Sequence, residues 1–216
     1  MTVFRVIDDW DGGVGWIADP DESMERASHA IEGERGLWLV DPVDCEGLDE
    51  WLADYGSVAG VIICLDRHKR DADAIAARHE VAIHLQDELA GIQGDFRAPV
   101  GSIAAFTEET GWTAEPIISW PGWHEVVLVS PNADTIRVPE AVGTSPHMCA
   151  PGERLGIHPL LRLSPPRSLQ AFAPERLLVG HGVGIMADAS DVLADALANS
   201  RRRAPAAYLS SLRTLF

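Results

Sequence analysis

Cysteine is scarce in this chain: Cys45, Cys64 and Cys149 are the full set. Their number is odd and no two form a CxxC pair, so neither a zinc ribbon nor a disulfide framework is implied. That usage points to a reducing cytoplasm. Lysine is scarcer still, with Lys69 alone. There are 17 basic residues against 33 acidic ones, a formal net charge of −16. The chain therefore lacks the basic footprint that nucleic acid requires. The acidic excess suggests a high-salt or GC-rich source, where it keeps a surface solvated. The run Arg201-Arg202-Arg203 is the local exception and reads as a solvated helix end. Long apolar runs are missing too. None approaches the roughly 20 residues that span a bilayer, so no membrane association is expected. The start, MTVFRVIDDWDGG, has no basic segment followed by an apolar one, so no signal peptide is expected. No GK[ST] follows the glycines of DGGVG or GHGVG, which excludes a P-loop. Ser168 and Ser190 have no histidine and acid in context, which argues against a serine hydrolase.

What is present is an ordinary folding composition. Hydrophobic residues make up 46% of 216 positions, enough for a sizeable core, and no linker divides residues 1–216 into more than a single domain. GLWLVDP and VAGVIICL are short apolar runs of buried-strand type, with Cys64 as a small core residue. Between and after them, 47–55 and 71–79 have helical spacing, and 81–85 is another strand. This β-α-β-α-β alternation implies a mostly parallel sheet with crossover helices. The segment 21–31 reads as a turn and a short irregular or helical piece. The second half reads as a meander, with short strands at 103–106, 117–120, 125–129 and 135–139. A strand at 176–179 then leads to a helix over 190–203, capped by Ser190 with Asp191 in its first turn. A final amphipathic piece groups Tyr208, Leu209, Leu212 and Leu215.

Histidines collect at strand ends, where binding residues gather because loops there are free to vary. One stands in DRHKRD after VIICL, one in PGWH before EVVLV, and one in GHG after RLLV. Three strand-end histidines suggest a convergent pocket. His29, His79, His84, His147 and His158 belong to no constellation and read as structural or surface residues. The tryptophans Trp16, Trp38, Trp51, Trp112, Trp120 and Trp123 are open between core and interface.

In order along the chain, GLWLVDP, VIICLDRHKRDADAIA, SWPGWHEVVLVSP, TIRVPEAVGT and SLQAFAPERLLVGHGVGI resemble the conserved segments of the metallo-β-lactamase superfamily. The resemblance spans nearly the whole length. It implies an α/β fold, a four-layer αββα sandwich with mixed sheets. It also implies a metal-binding loop of the form HxHxDH after a buried strand, with further ligands in segments like PGH, GDAL and LLPGHG.

That loop is rewritten here. Asp66 stands at the first histidine position, His68 keeps the second, Arg70 replaces the aspartate and Asp71 the third histidine. Trp123 falls on the PGH ligand position with His124 one step later, and Glu140 replaces the bridging aspartate. His181 is retained, and Asp41 is expected to order the turn beside the site. An arginine amid the ligands carries a charge that does not titrate away and repels a divalent ion, so the second metal site is expected to be lost. Two functions follow. The first is a relict, ligand-binding or structural member without a two-metal centre, with guanidinium groups pairing the remaining carboxylates, no cofactor, and a small anionic ligand or a homo-oligomeric role. The second is a divergent mononuclear hydrolase of an ester, thioester, lactone or similar small substrate. It would use one divalent metal, zinc by preference, with Asp66, His68, His124 and His181 as candidate ligands.

Overall fold

The computed structural model describes residues 4–132 and 134–214. The chain begins with an antiparallel run of four strands, β1 (Arg5–Trp10), β2 (Gly13–Ile17), β3 (Ala27–Gly33) and β4 (Gly36–Val40). After α1 (Leu48–Leu52) the pairing turns parallel. Strand β5 (Val58–Ile63) joins β4, and after α2 (Ala72–Arg78) the strands β6 (Ile83–Leu85) and β7 (Val100–Ser102) follow in order. These seven strands form one mixed sheet in sequence order. Helix α3 (Ala104–Thr110) leads to β8 (Thr113–Trp120), β9 (Trp123–Val129) and β10 (Thr135–Val138). With β13 (Arg176–Val179), parallel to β10, they make a second sheet in the order β13-β10-β9-β8. A small pair, β11 (Val142–Gly143) and β12 (Gly156–Ile157), precedes β13, and α4 (Ala189–Thr214) closes the described chain.

Burial explains the layering. Leu48, Leu52, Ile75 and Phe106 bring α1, α2 and α3 into the cluster that holds Leu39, Val61 and Ile62 of the first sheet. Val126, Leu128 and Leu178 of the second sheet pack into that same cluster. Val192, Leu193 and Leu197 of α4 cover Ile136, Leu177 and Val179. The result is an αββα sandwich with helices outside two apposed mixed sheets. Among the described residues, no helix is long and apolar enough to cross a membrane.

Two backbone joins link the sheets at one edge. In the first, the chain leaving β5 crosses to β9: Val126 N–H donates to the Cys64 carbonyl at 2.9 Å, and Asp66 N–H to the His124 carbonyl at 3.1 Å. In the second, the end of β13 meets the start of β3: Ala27 N–H donates to the Gly180 carbonyl at 2.9 Å, and Gly182 N–H to that of Glu25 at 2.8 Å. His68 follows the first join and His181 lies within the second.

Three segments differ from their sequence reading. Residues 27–31 are strand, with every position buried, because β3 lies between β2 and β4 and neither face shows polar alternation. Ile103 and Phe106 belong to the start of a helix rather than a strand, since a short apolar run carries no period of its own. The last helix does not stop at Arg203. It continues through Pro205, and its packed stripe is small: Ala196, Ser200, Ala204 and Ala207 are buried, while Tyr208 and Leu209 are exposed. The Leu212 side chain and Leu215 lie outside the described residues.

Gly180 marks the tightest point of the second join. A β-carbon there would fall 2.1 Å from the Pro139 carbonyl oxygen. Gly180→Ala is expected to cost about 1–3 kcal/mol through forced backbone shifts. Gly94→Ala, in open surroundings, should stay within about 0.5 kcal/mol. Urea unfolding midpoints of the two variants check the contrast.

Candidate metal centre

The site begins with a buried carboxylate. Asp41 directly follows β4 in the left-handed region, φ 44°, and its side chain has no solvent contact. One carboxylate oxygen, Oδ1, accepts the Cys64 backbone N–H at 2.8 Å. The other, Oδ2, accepts from the equally buried Arg137 guanidinium and lies 3.1 Å from His68 Nδ1. Burial would raise the Asp41 carboxyl, but Arg137 and the His68 hydrogen bond outweigh it and hold the group well below the usual carboxylate range. An ionised carboxylate only accepts hydrogen bonds, so His68 carries its proton on Nδ1. Burial, followed by the nearby Arg70 charge, pushes the His68 pKa down to about 3. The ring is therefore neutral and its Nε2 bare.

His181 reaches the same state from the other sheet. Its Nδ1 lies 3.0 Å from the Met24 carbonyl oxygen, which only accepts, so the proton again sits on Nδ1. Burial, then His68 and Arg70, lower its pKa well below the ordinary value. The two bare Nε2 atoms face each other 3.3 Å apart. Two lone pairs cannot form a hydrogen bond, so this contact is repulsive unless a cation lies against both. Zinc holds imidazole nitrogen at about 2.0–2.1 Å, which sets two nitrogens on one tetrahedral ion roughly 3.3 Å apart.

Glu140 completes the cluster. Ligand atoms of His68, Glu140 and His181 all lie within 4.8 Å of one another, and all three residues are buried. Glu140 is placed by a second buried carboxylate: Glu125 Oε1 accepts the backbone N–H groups of Glu140 and Ala141, each at 2.8 Å. Trp123 Nε1 donates to Glu125 Oε2 at 2.8 Å. Burial outweighs these bonds and raises the Glu125 pKa to about 7. Glu140 Oε2 accepts from Arg67 Nη2 at 2.6 Å. Its other oxygen is 3.5 Å from His158 Nε2, and Leu160 N–H donates to His158 Nδ1 at 3.2 Å, so the Nε2 proton points at Glu140. The Arg67 guanidinium stacks 4.2 Å over the Trp123 ring, which meets His158 edge-on.

Arg70 does not project among these ligands. Its guanidinium donates to the carbonyls of Ala27 and Asp41, each at 2.7 Å, and of Gly180 at 3.0 Å. These carbonyls belong to β3, the end of β4 and the end of β13, so one side chain fastens both sheets beneath the histidines. Burial lowers its pKa to about 10 and leaves it a cation at neutral pH.

The sequence-derived candidate ligands Asp66, His68, His124 and His181 are thus not the set the structure gathers. His68 and His181 meet, and Glu140 joins them. Asp66 is diverted: its Oδ2 accepts the His124 backbone N–H at 3.0 Å, which secures the first join. His124 pairs with Ser119 across the β8–β9 hairpin and lies outside the cluster. Asp71 is diverted as well, because its Oδ2 accepts the Asp44 N–H at 2.9 Å instead of reaching the site.

Sequence reasoning missed Arg137, Glu125 and His158. The first two are charges inside otherwise apolar strands, TIRV and WHEVVLV, and a charge at an inward strand position was the signal available. His158, read as structural or surface, stands beside Glu140. His29, placed in no constellation, is fully buried with Nε2 3.0 Å from Asp8 Oδ2. Asp8 Oδ1 in turn accepts the Gly184 N–H at 2.8 Å, tying β1 and β3 to the loop after His181.

Structural comparison agrees with this architecture. A metallo-β-lactamase from Pontibacter korlensis superposes with a TM-score of 0.59 at 12% identity, over 92% of this chain and 99% of that one. The metallo-β-lactamase FIM-1 from Pseudomonas aeruginosa, in its mono-zinc form, gives 0.60 at 10% identity, over 93% and 96%. A flavo di-iron protein variant from Thermotoga maritima gives 0.63 at 12%, covering 93% of this chain and 63% of that one. The chain has the metallo-β-lactamase fold, and at these identities the likeness is of fold alone. No protein-family model matches the sequence, and no curated protein matches it.

Asp41→Asn leaves Arg137 as an uncompensated buried charge and is expected to cost about 3–5 kcal/mol. Because the folded Asp41 pKa is depressed, its stabilisation is present above the unfolded value and lost as pH falls toward the folded one. The stability gap between wild type and Asp41→Asn should therefore narrow below about pH 4, as read by urea titrations across that range. Glu125→Gln sets an amide N–H₂ against the Trp123 N–H donor and is expected to cost about 1–3 kcal/mol at neutral pH, read as a lowered Tm.

Proposed function

We propose that this chain is a single-ion metallohydrolase of small esters, thioesters or lactones, built without a two-metal centre. The observation that carries the proposal is the pair of bare Nε2 atoms, 3.3 Å apart, with the Glu140 carboxylate beside them. Two imidazoles and a carboxylate form a donor set that suits zinc and leaves a fourth position open. A bound zinc ion would supply a Lewis acid for a substrate carbonyl and lower the pKa of water at that open position.

The protein's own groups hold the donors ready. Asp41 and the Met24 carbonyl each accept a hydrogen bond from the Nδ1–H of one histidine, fixing tautomer and ring direction. Glu125 fixes the backbone that carries Glu140. Trp123 and His158 wall one side against water. Arg67 is half-exposed at the rim and suits an anionic group on the substrate. A second divalent ion finds no such provision, because the Arg70 cation, fixed on three carbonyls, stands close by and repels it.

One observation favours the relict reading. Arg67 already compensates Glu140 at 2.6 Å, so the buried carboxylate has a partner without an ion. Metal content separates the two readings. Protein purified without chelator should carry one equivalent of zinc by elemental analysis, falling below about a tenth in His68→Ala or His181→Ala. Absence of stoichiometric metal in the wild type supports the relict, and two equivalents overturn the single-ion centre. Zinc-loaded protein should turn over at least one of a set of nitrophenyl esters, thioesters and lactones. If all stay intact, the hydrolase assignment fails even with the ion bound.

A further inference from the structure

We propose that Arg67 is an exchangeable partner of Glu140: a divalent ion entering between His68 and His181 takes the carboxylate from it, and the released guanidinium becomes the receptor for a carboxylate-bearing ligand. This rests on the single-ion reading above.

Glu140 Oε2 is engaged by Arg67 Nη2 at 2.6 Å, a short charge-assisted contact. A guanidinium and a divalent ion on one carboxylate share its charge and repel each other at that range, so an ion that ligates Glu140 weakens the hold of Arg67 on it. The partners differ in freedom. The Glu140 side chain is 10% exposed and Arg67 39%, so Arg67 is the one that can turn toward water. Its remaining contacts do not need Glu140. Nη1 donates to the Gly122 carbonyl at 2.9 Å and sits 3.4 Å from Asp66 Oδ1, and the guanidinium rests on the Trp123 ring. Arg67 can therefore let Glu140 go and stay at the rim, with the Nη2 edge open to solvent.

The neighbourhood defines the ligand. A planar guanidinium presents parallel N–H donors that match a carboxylate. Trp120 pairs directly with Trp123 across the β8–β9 turn, and directly opposed residues share a sheet face. Trp120 is 49% exposed, a flat apolar surface at the same hairpin turn whose Gly122 carbonyl holds Arg67. The ligand class is therefore a carboxylate on a flat apolar body. Ion and anion then assist each other: the ion frees Arg67 for the anion, and the anion holds Arg67 off the ion's ligand. Linkage makes the two effects equal.

The test is zinc affinity, measured by competition with a chromophoric chelator, with and without millimolar benzoate as the anion probe. Arg67→Met should bind zinc about tenfold tighter or more than wild type, and Arg67→Lys, which keeps the charge, should fall between. Benzoate should tighten zinc binding several-fold in wild type and leave Arg67→Met unchanged. Trp120→Ala should keep its zinc affinity and lose most of the benzoate effect. The inference is overturned if Arg67→Met binds zinc no tighter, or if benzoate acts alike on wild type and Arg67→Met. The wild-type benzoate response needs no variant, so misfolding of Arg67→Met would not shelter the idea, and circular dichroism identifies that case. Zinc bound through His68 and His181 but indifferent to Arg67 refutes this inference alone. A wild type that binds no zinc refutes the single-ion reading and this inference with it.

Discussion

The Asp41 carboxylate holds a full negative charge in the interior, and the rest of the site is arranged around it. An isolated buried anion is far too costly to persist. Here Arg137 neutralises it from the opposite sheet, the Cys64 amide binds one oxygen, and His68 binds the other. Each partner comes from a different part of the chain, so one charge sets the end of β4, the exit of β5, the inner face of β10 and the tautomer of a histidine. The backbone at Asp41 lies in the left-handed region, φ 44°, where the chain leaves β4. The bareness of His68 Nε2 is thus a consequence of where the anion sits.

Much of the fold was legible in the sequence because its strands are short apolar runs closed by turns, and their order matched a known architecture. GLWLV, VAGVIICL and RLLV became β4, β5 and β13 within about two residues. The misread segments share a physical cause. Residues 27–31 are buried on both faces, and Ile103 with Phe106 is too short a stretch to show a period. The site was legible only in part. His68 and His181 lay at motif positions and do meet. Asp66 and Asp71 could not be placed, because a carboxylate two or three residues from His68 can equally bind a backbone amide, and here both do. Arg70 was expected to disturb the ligands electrostatically. It remains a nearby cation, but its hydrogen bonds all go to main-chain carbonyls, a choice that depends on three distant segments and leaves no local signature.

The arginines divide the labour that the fold's acidic and apolar residues cannot perform. Arg137 compensates, Arg70 fastens backbone, and Arg67 covers the rim. Arg70 and Arg67 are not interchangeable with lysine, because both use the planar fork: Arg70 reaches three carbonyls at once, and Arg67 stacks on an aromatic face while donating from both ends. A chain with a single lysine among 17 basic residues is consistent with that demand for geometry over charge alone.

The contact between His68 and His181 joins positions 113 residues apart. An ion gripped by both would act on the polymer as a reversible staple. It would close a loop of more than half the chain, and in the chain-entropy account a covalent closure of about a hundred residues is worth roughly 4–5 kcal/mol. The two backbone joins flank the staple, the first ending just before His68 and the second running on either side of His181, so opening the sandwich at that edge would strain the ion's grip directly. Letting the ion go and letting the sandwich open would become a single kinetic event. The lifetime of the folded state would then be set by ligand exchange at one point on the edge of the molecule.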